Sequence, residues 1–157
     1  MNSTRNSKVI QASREKLYHA FTDPASLEQW QAPGEMTGKV HHFDLRVGGG
    51  YEMSLYYHAT DKTSQGKTAG KEDRFKARFV KLDPPANIVE AIVFDSPDPA
   101  FSGEMLMEVT LESEGSGTRV TMLFKDIPTG IDPKDNETGT ELSLEKLARY
   151  VKIQHQV

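Results

Sequence analysis

Cysteine is absent from the 157 residues, and with it go disulfides, thiolate metal ligands and cysteine nucleophiles. Long apolar runs are missing too. No stretch is long enough to cross a bilayer, and Met1 to Ser7 is polar where a signal peptide would need an apolar core. The expectation is a protein without a membrane span, located in the cytoplasm. Positive charge is in deficit: the net charge of −4 lacks the strong basic field of nucleic-acid binders, so no nucleic-acid partner is expected. Apolar residues make up only 36%, but with charged residues at an ordinary 27% the chain reads as folded and well solvated rather than disordered. No internal repeat or linker divides it, and residues 1–157 are read as a single domain.

What is present is a strand, two short helices, six further strands and a long helix. Lys8 to Ala12 suits the first strand. Ser13 then stands as an N-cap before Leu17, Ala20 and Phe21 at helical spacing, and Asp23-Pro24 closes that helix and opens a second that ends at Trp30. From Gly38 the period becomes two. Strands are expected over Val40 to Val47, Tyr51 to His58, Arg74 to Leu82, Ile88 to Asp95, Met105 to Ser113 and Thr118 to Lys125. Gly48-Gly49-Gly50 suits a tight or bulged turn, and Ala59 to Gly70 a long polar hairpin. The last two strands form the clearest hairpin, with Met105, Met107, Val109 and Leu111 answered by Val120, Met122 and Phe124. Asp132-Pro133 then caps and opens a helix towards His155, whose stripe Leu144, Leu147, Ala148 and Val151 seeks an apolar partner.

Several apparent motifs fail on inspection. Gly66-Lys67-Thr68 invites a phosphate-binding loop, but the opening position is Asp61, and the chain continues into a strand rather than a helix. His41 and His42 are neighbours on an expected strand, so they point to opposite faces and do not chelate one ion, while His19, His58 and His155 lie at no ligand spacing. No metal and no cofactor is expected. No serine sits in a nucleophile-elbow pattern. Lys62 to Lys81 is rich in lysine and arginine, and Arg74, Lys76 and Arg78 share a strand face, read as a solvated convex surface opposite Phe75, Ala77 and Phe79. Glu90 is more informative, because period two places it with Ile88, Ile92 and Phe94. A carboxylate among apolar side chains needs a partner or rises in pKa, and Arg46, which shares a face with Asp44, is the expected partner.

These residues also carry a resemblance. Ser13-Arg14-Glu15-Lys16-Leu17-Tyr18-His19-Ala20-Phe21-Thr22-Asp23-Pro24, then Trp30, then Phe43-Asp44-Leu45-Arg46-Val47-Gly48-Gly49-Gly50-Tyr51 resemble the START-like (SRPBCC) superfamily. Within it they resemble the branch named after the C-terminal domain of the activator of the heat-shock-protein-90 ATPase. Phe79-Val80-Lys81-Leu82-Asp83-Pro84-Pro85 and Gly117-Thr118-Arg119-Val120-Thr121 extend the likeness over nearly the whole chain. One departure stands out: many members carry Gly-Trp early in the final helix, and here Gly139 is followed by Thr140.

The resemblance implies an α+β helix-grip (START-like) fold, a curved antiparallel β-sheet wrapped around a long C-terminal α-helix with two short helices after the first strand. It also implies a ligand cavity between sheet and helix, where relatives bind lipids, sterols, hormones or polyketides. The side chains then expected around a small apolar ligand are Trp30, Tyr51, Met53, Leu55, Ile92, Phe94, Met105, Met107 and Phe124. Leu147 and Val151 close the site from the helix, and Arg46 and Glu90 are its polar groups. Two other functions compete. A protein partner, reached through the basic strand face or a loop such as Pro97 to Phe101, would make it an interaction or chaperone-cofactor module; Glu90, or Asp44 with Arg46, would serve an enzyme as acid and base.

Overall fold

The computed structural model describes residues 2–57 and 72–155, with side chains to residue 152. Among them, seven strands form one antiparallel, curved sheet, and the elements follow the chain as strand, two short helices, six strands and a long helix. They are β1 (Thr4–Ile10), α1 (Arg14–Thr22), α2 (Pro24–Trp30), β2 (Thr37–Asp44), β3 (Gly50–Tyr56), β4 (Glu72–Asp83), β5 (Asn87–Phe94), β6 (Met105–Glu114), β7 (Gly117–Lys125) and α3 (Pro133–His155). The sheet order is β1-β7-β6-β5-β4-β3-β2. The long hairpin expected over Ala59 to Gly70, with its Gly66-Lys67-Thr68, lies outside the described residues, as does His58.

Local chemistry explains the helix boundaries. Ser13 Oγ accepts the Lys16 amide at 3.1 Å, and Asp23 Oδ2 accepts the Ser26 amide at 2.9 Å, each satisfying an N–H that a helix start leaves without a partner. Trp30 ties the two short helices together: its indole N–H donates to the Ala20 carbonyl at 2.9 Å, and its ring meets Phe21 edge to face at 4.7 Å. In α3 the first turn is closed by Asp132, whose Oδ1 accepts the Lys134 amide at 2.9 Å.

Several strand ends differ from expectation, those of β1 and β2 most. β1 runs over Thr4–Ile10 rather than Lys8 to Ala12, because it pairs along its whole length with β7, from Thr4 opposite Phe124 to Ile10 opposite Thr118. β2 stops at Asp44, not Val47. The chain instead turns through Gly48, at φ +87°, and Gly49, whose backbones bond to Phe79 of β4. At Gly50 a Cβ would come within 1.9 Å of the Ala77 carbonyl oxygen, so only glycine permits this close approach of β3 to β4. A bulge lies between Val40 and His42. The alternation assumed for the two histidines therefore breaks there: both are exposed, and His41 Nε2 lies 2.8 Å from Ser54 Oγ.

α3 is fastened to α2 and its exit loop. Ser143 Oγ donates to the Gln31 carbonyl at 2.8 Å, and the Lys146 ammonium donates to the carbonyls of Ala32 and Met36 at 2.6 and 3.0 Å. Burial lowers the Lys146 pKa below its ordinary value, with Arg149 adding to the effect. Beyond these contacts, Leu144, Leu147 and Val151 are buried in one cluster with Leu17, Phe21 and Leu27 and with the concave sheet residues Val109 and Val120.

Candidate functional site

The two halves of α3 are unlike. The second carries Leu144, Leu147 and Val151, but the first presents Asn136, Gly139, Thr140 and Ser143, side chains too small to fill the space over the sheet. That space is a cavity of about 690 Å³. Topology fixes its place. β3 ends, β4 begins, β5 ends, β6 begins and β7 ends at the same edge of the antiparallel array, where Phe75 pairs with Phe94, Ile92 with Met105 and Met107 with Phe124. The start of α3 and the loop around Phe101 and Gly130 meet this edge, and exposed Asp132, Asp135 and Thr138 put the mouth there.

The floor is apolar. Phe75, Ile92, Phe94, Met105, Met107, Met122 and Phe124 line it from the sheet, Trp30 from the end of α2, and Leu55 with Tyr57 from the end of β3. Thioether and aromatic groups give contact area with few directional demands, which suits a permissive site. Polar groups sit at the rim and on one wall: Gln31, Asn136, Thr140, Ser143 and the carboxylates Asp73, Asp132 and Asp135. The Thr140 hydroxyl donates back to the Asn136 carbonyl at 2.7 Å.

Of the side chains expected around a ligand, Trp30, Leu55, Ile92, Phe94, Met105, Met107 and Phe124 are on the cavity wall. Tyr51, Met53, Leu147 and Val151 are not. They are buried in the packed cluster instead, Met53 and Leu147 at zero exposure. Sequence reasoning did not single out Phe75, Met122, Asp73, Tyr57 or Thr140 for this wall. Phe75 and Met122 already showed the right parity within their strands; Asp73 shares that parity with Phe75, but the strand was expected to start one residue later.

Glu90 lies inside, at 1% exposure, opposite Phe79 on one side and Met107 on the other. The expected ion pair with Arg46 does not form. Because β2 ends early, Arg46 falls in an exposed turn, where its Nε bonds Asp44 Oδ2 at 2.7 Å. Asp44 and Arg46 therefore pair with each other at the surface, away from the cavity. Glu90 is held by tyrosine instead: Tyr51 Oη donates to Glu90 Oε1 at 2.8 Å. Burial pushes the Glu90 carboxyl up to about 7, and the Tyr51 hydrogen bond only partly opposes this. The same burial, with the adjacent Glu90, raises the Tyr51 phenol well above its ordinary value. Gln31, on the cavity wall, opposes that rise in part, and Glu90 itself is not among the lining residues.

On the convex face the basic stripe is largely matched. Arg74 pairs with Glu52 at 3.1 Å and Arg78 with Glu104 at 3.2 Å. Among the described residues, no group of three His, Asp or Glu side chains is placed to hold a metal, and no helix is long and apolar enough to cross a membrane.

A family model described as activator of Hsp90 ATPase homolog 1-like protein matches residues 11–152. No curated protein matches the chain. Among solved structures, a crystal structure of a Chromobacterium violaceum protein is similar with a TM-score of 0.83 and 31% identity, covering 94% of this chain and 95% of that one. A solution structure of an Arthrobacter aurescens protein has a TM-score of 0.79 at 17% identity, covering 96% and 86%. The solution structure of an AHSA1-like protein from Aeromonas hydrophila has a TM-score of 0.71 at 22% identity, covering 98% and 94%.

Proposed function

The chain belongs to the family of activator of Hsp90 ATPase homolog 1-like proteins, and from that premise we propose that it binds a small, mainly apolar molecule in the cavity under the first half of α3. One observation carries this reading: a space of about 690 Å³ between a floor of aromatic and methionine side chains and the small polar side chains of the first half of α3. Whatever apolar wall area an occupant removes from water is worth ~25 cal/mol per Å², and the volume is in the range of ordinary ligand sites. The ligand works within one domain, residues 1–157, and needs no cofactor. We take the cytoplasm as its compartment, where a chain without cysteine needs no disulfide.

A second reading, an interaction module, is favoured by Leu45 and Val47, which are 49% and 61% exposed in the turn that carries Arg46. It is the weaker one, because two aliphatic side chains in a turn make a small patch. An enzyme using Glu90 as acid or base is the weakest reading, since Glu90 is not among the residues that line the cavity.

The test is titration with the neutral fluorophore N-phenyl-1-naphthylamine. The wild type is expected to bind it. Thr140→Trp, which places an indole where the helix now presents a small hydroxyl, should weaken binding by about tenfold or more, the equivalent of ~1.4 kcal/mol. Unchanged affinity in a folded Thr140→Trp protein, or no binding to the wild type, would refute the cavity as the site.

A further inference from the structure

Among the described residues, buried side-chain oxygens of Asn6, Gln31, Asn87 and Thr121 have no hydrogen-bond partner, and of these residues only Gln31 lines the cavity. A buried carbonyl oxygen costs free energy until a donor reaches it. The unmet atom is the oxygen of the amide, Oε1, not its nitrogen. Tyr51 gives its one O–H to Glu90 at 2.8 Å, so the Gln31 amide meets that phenol with an N–H, and this is why it lowers the Tyr51 pKa where burial raises it.

The backbone of Gln31 is fixed at the end of α2, its N–H donating to the Leu27 carbonyl at 3.0 Å and its carbonyl accepting Ser143 Oγ at 2.8 Å. Only the side chain is left to turn. The last torsion of a glutamine has a broad minimum, and Oε1 has no bond of its own to lose as it swings toward the cavity. The neighbouring wall groups do not supply the missing donor. Thr140 gives its proton to the Asn136 carbonyl, Ser143 to the Gln31 carbonyl, Trp30 to the Ala20 carbonyl, and the Asn136 amide donates to Thr4 Oγ1 at 2.8 Å.

We infer that the molecule bound in the cavity is an apolar body carrying a neutral hydroxyl, whose O–H donates to Gln31 Oε1, and that the same body with its hydroxyl capped as an ether binds less well. This rests on the ligand-binding reading above. A hydroxyl brings the donor that the protein side of the site lacks. An ether brings an oxygen that only accepts, so Gln31 Oε1 stays unmet and the ether oxygen gives up water without gaining a partner there. A site that holds an unpaired acceptor discriminates in this way against analogues lacking the donor.

The test titrates 4-cyclohexylphenol and its methyl ether, 4-cyclohexylanisole, against bound N-phenyl-1-naphthylamine. The phenol should displace the fluorophore at a concentration about tenfold below that of the ether, although the ether is the more apolar of the two. Gln31→Met keeps the length of the side chain and removes the amide, and it should abolish that preference. Taking the ratio of the two competitors within each protein cancels any change in fluorophore affinity. A second readout needs no variant: in 15N–1H spectra of the wild type, the Gln31 side-chain amide signals should shift with the phenol more than with the ether. Phenol and ether competing alike in the wild type, a preference that persists in folded Gln31→Met, or amide signals that respond alike to both overturns the inference while leaving the cavity as a ligand site. Absence of fluorophore binding overturns both.

Discussion

Replacing Glu90 with glutamine tests the account of the buried carboxyl, because it keeps the shape and the acceptor for Tyr51 Oη while removing the charge. Glu90 titrates at about 7 in the fold against an ordinary 4.5. Below pH 4.5 both folded and unfolded chains hold the proton, and burial carries no electrostatic penalty. Between 4.5 and about 7 the unfolded chain releases its proton while the folded one retains it, so Glu90 makes stability fall as pH rises. Above about 7 the penalty is complete. At about 1.4 kcal/mol per pH unit of displacement it amounts to about 3 kcal/mol. Urea melts of wild type and Glu90→Gln at pH 5 and pH 8.5 should therefore diverge, with the variant gaining about 2 to 3 kcal/mol on the wild type between the two. Taking the difference between variants cancels the other carboxylates that titrate over this range. Arg46→Ala is the control: its guanidinium is engaged with Asp44 in an exposed turn, so the wild-type pH dependence should survive the substitution. A Glu90→Gln advantage that is flat with pH, or a pH dependence altered by Arg46→Ala, would refute the burial argument and return Glu90 to a salt bridge.

Two further substitutions probe how α3 is held. Leu147→Ala removes a side chain at zero exposure from the packed cluster and should cost about 2 to 5 kcal/mol in denaturant melts; a loss below about 1 kcal/mol would show that the cluster is not the anchor of the helix. Lys146→Met keeps the stem but withdraws both bonds to the α2 exit loop, leaving two carbonyls short of a donor at about 1 to 3 kcal/mol, and hydrogen exchange should rise at residues 31–36 more than in β6 and β7.

Where a single short-range rule decided the structure, the sequence was sufficient. The hairpin of β6 and β7 alternates strictly, and its observed pairs, Met107 with Phe124, Val109 with Met122 and Leu111 with Val120, follow from that alternation. The helix starts at Ser13, Asp23 and Asp132 were equally legible, because a cap is a local bond between a side chain and an amide two or three residues on. What escaped depended on neighbours in space. β1 has no clean alternation, and only the edge of β7 draws Thr4 to Ser7 into the sheet. The bulges at Val40/His42 and Phe79/Lys81 shift parity without a residue signature. Glu90 was correctly placed inside from parity alone, yet its partner was misassigned, because Arg46 belongs to the turn rather than to β2 and Tyr51 comes from a strand whose register no local pattern reveals.

The cavity has a cause that can be stated from α3 alone. Over the packed end of the sheet the helix supplies Leu144, Leu147 and Val151, which are buried in one cluster with the concave face. Over the other end it supplies Asn136, Gly139, Thr140 and Ser143, while its one large apolar side chain in that half, Leu142, stands at the cavity wall but stays 39% exposed. The sheet makes no matching retreat. Phe75, Met105, Met107 and Phe124 remain large and apolar beneath the part of the helix that cannot cover them. A fold selected only for stability would gain by filling that space from the helix side, since close packing adds both dispersion contacts and burial. The mismatch between a large apolar floor and a small polar roof is instead what a site needs if its last layer of packing is to come from another molecule.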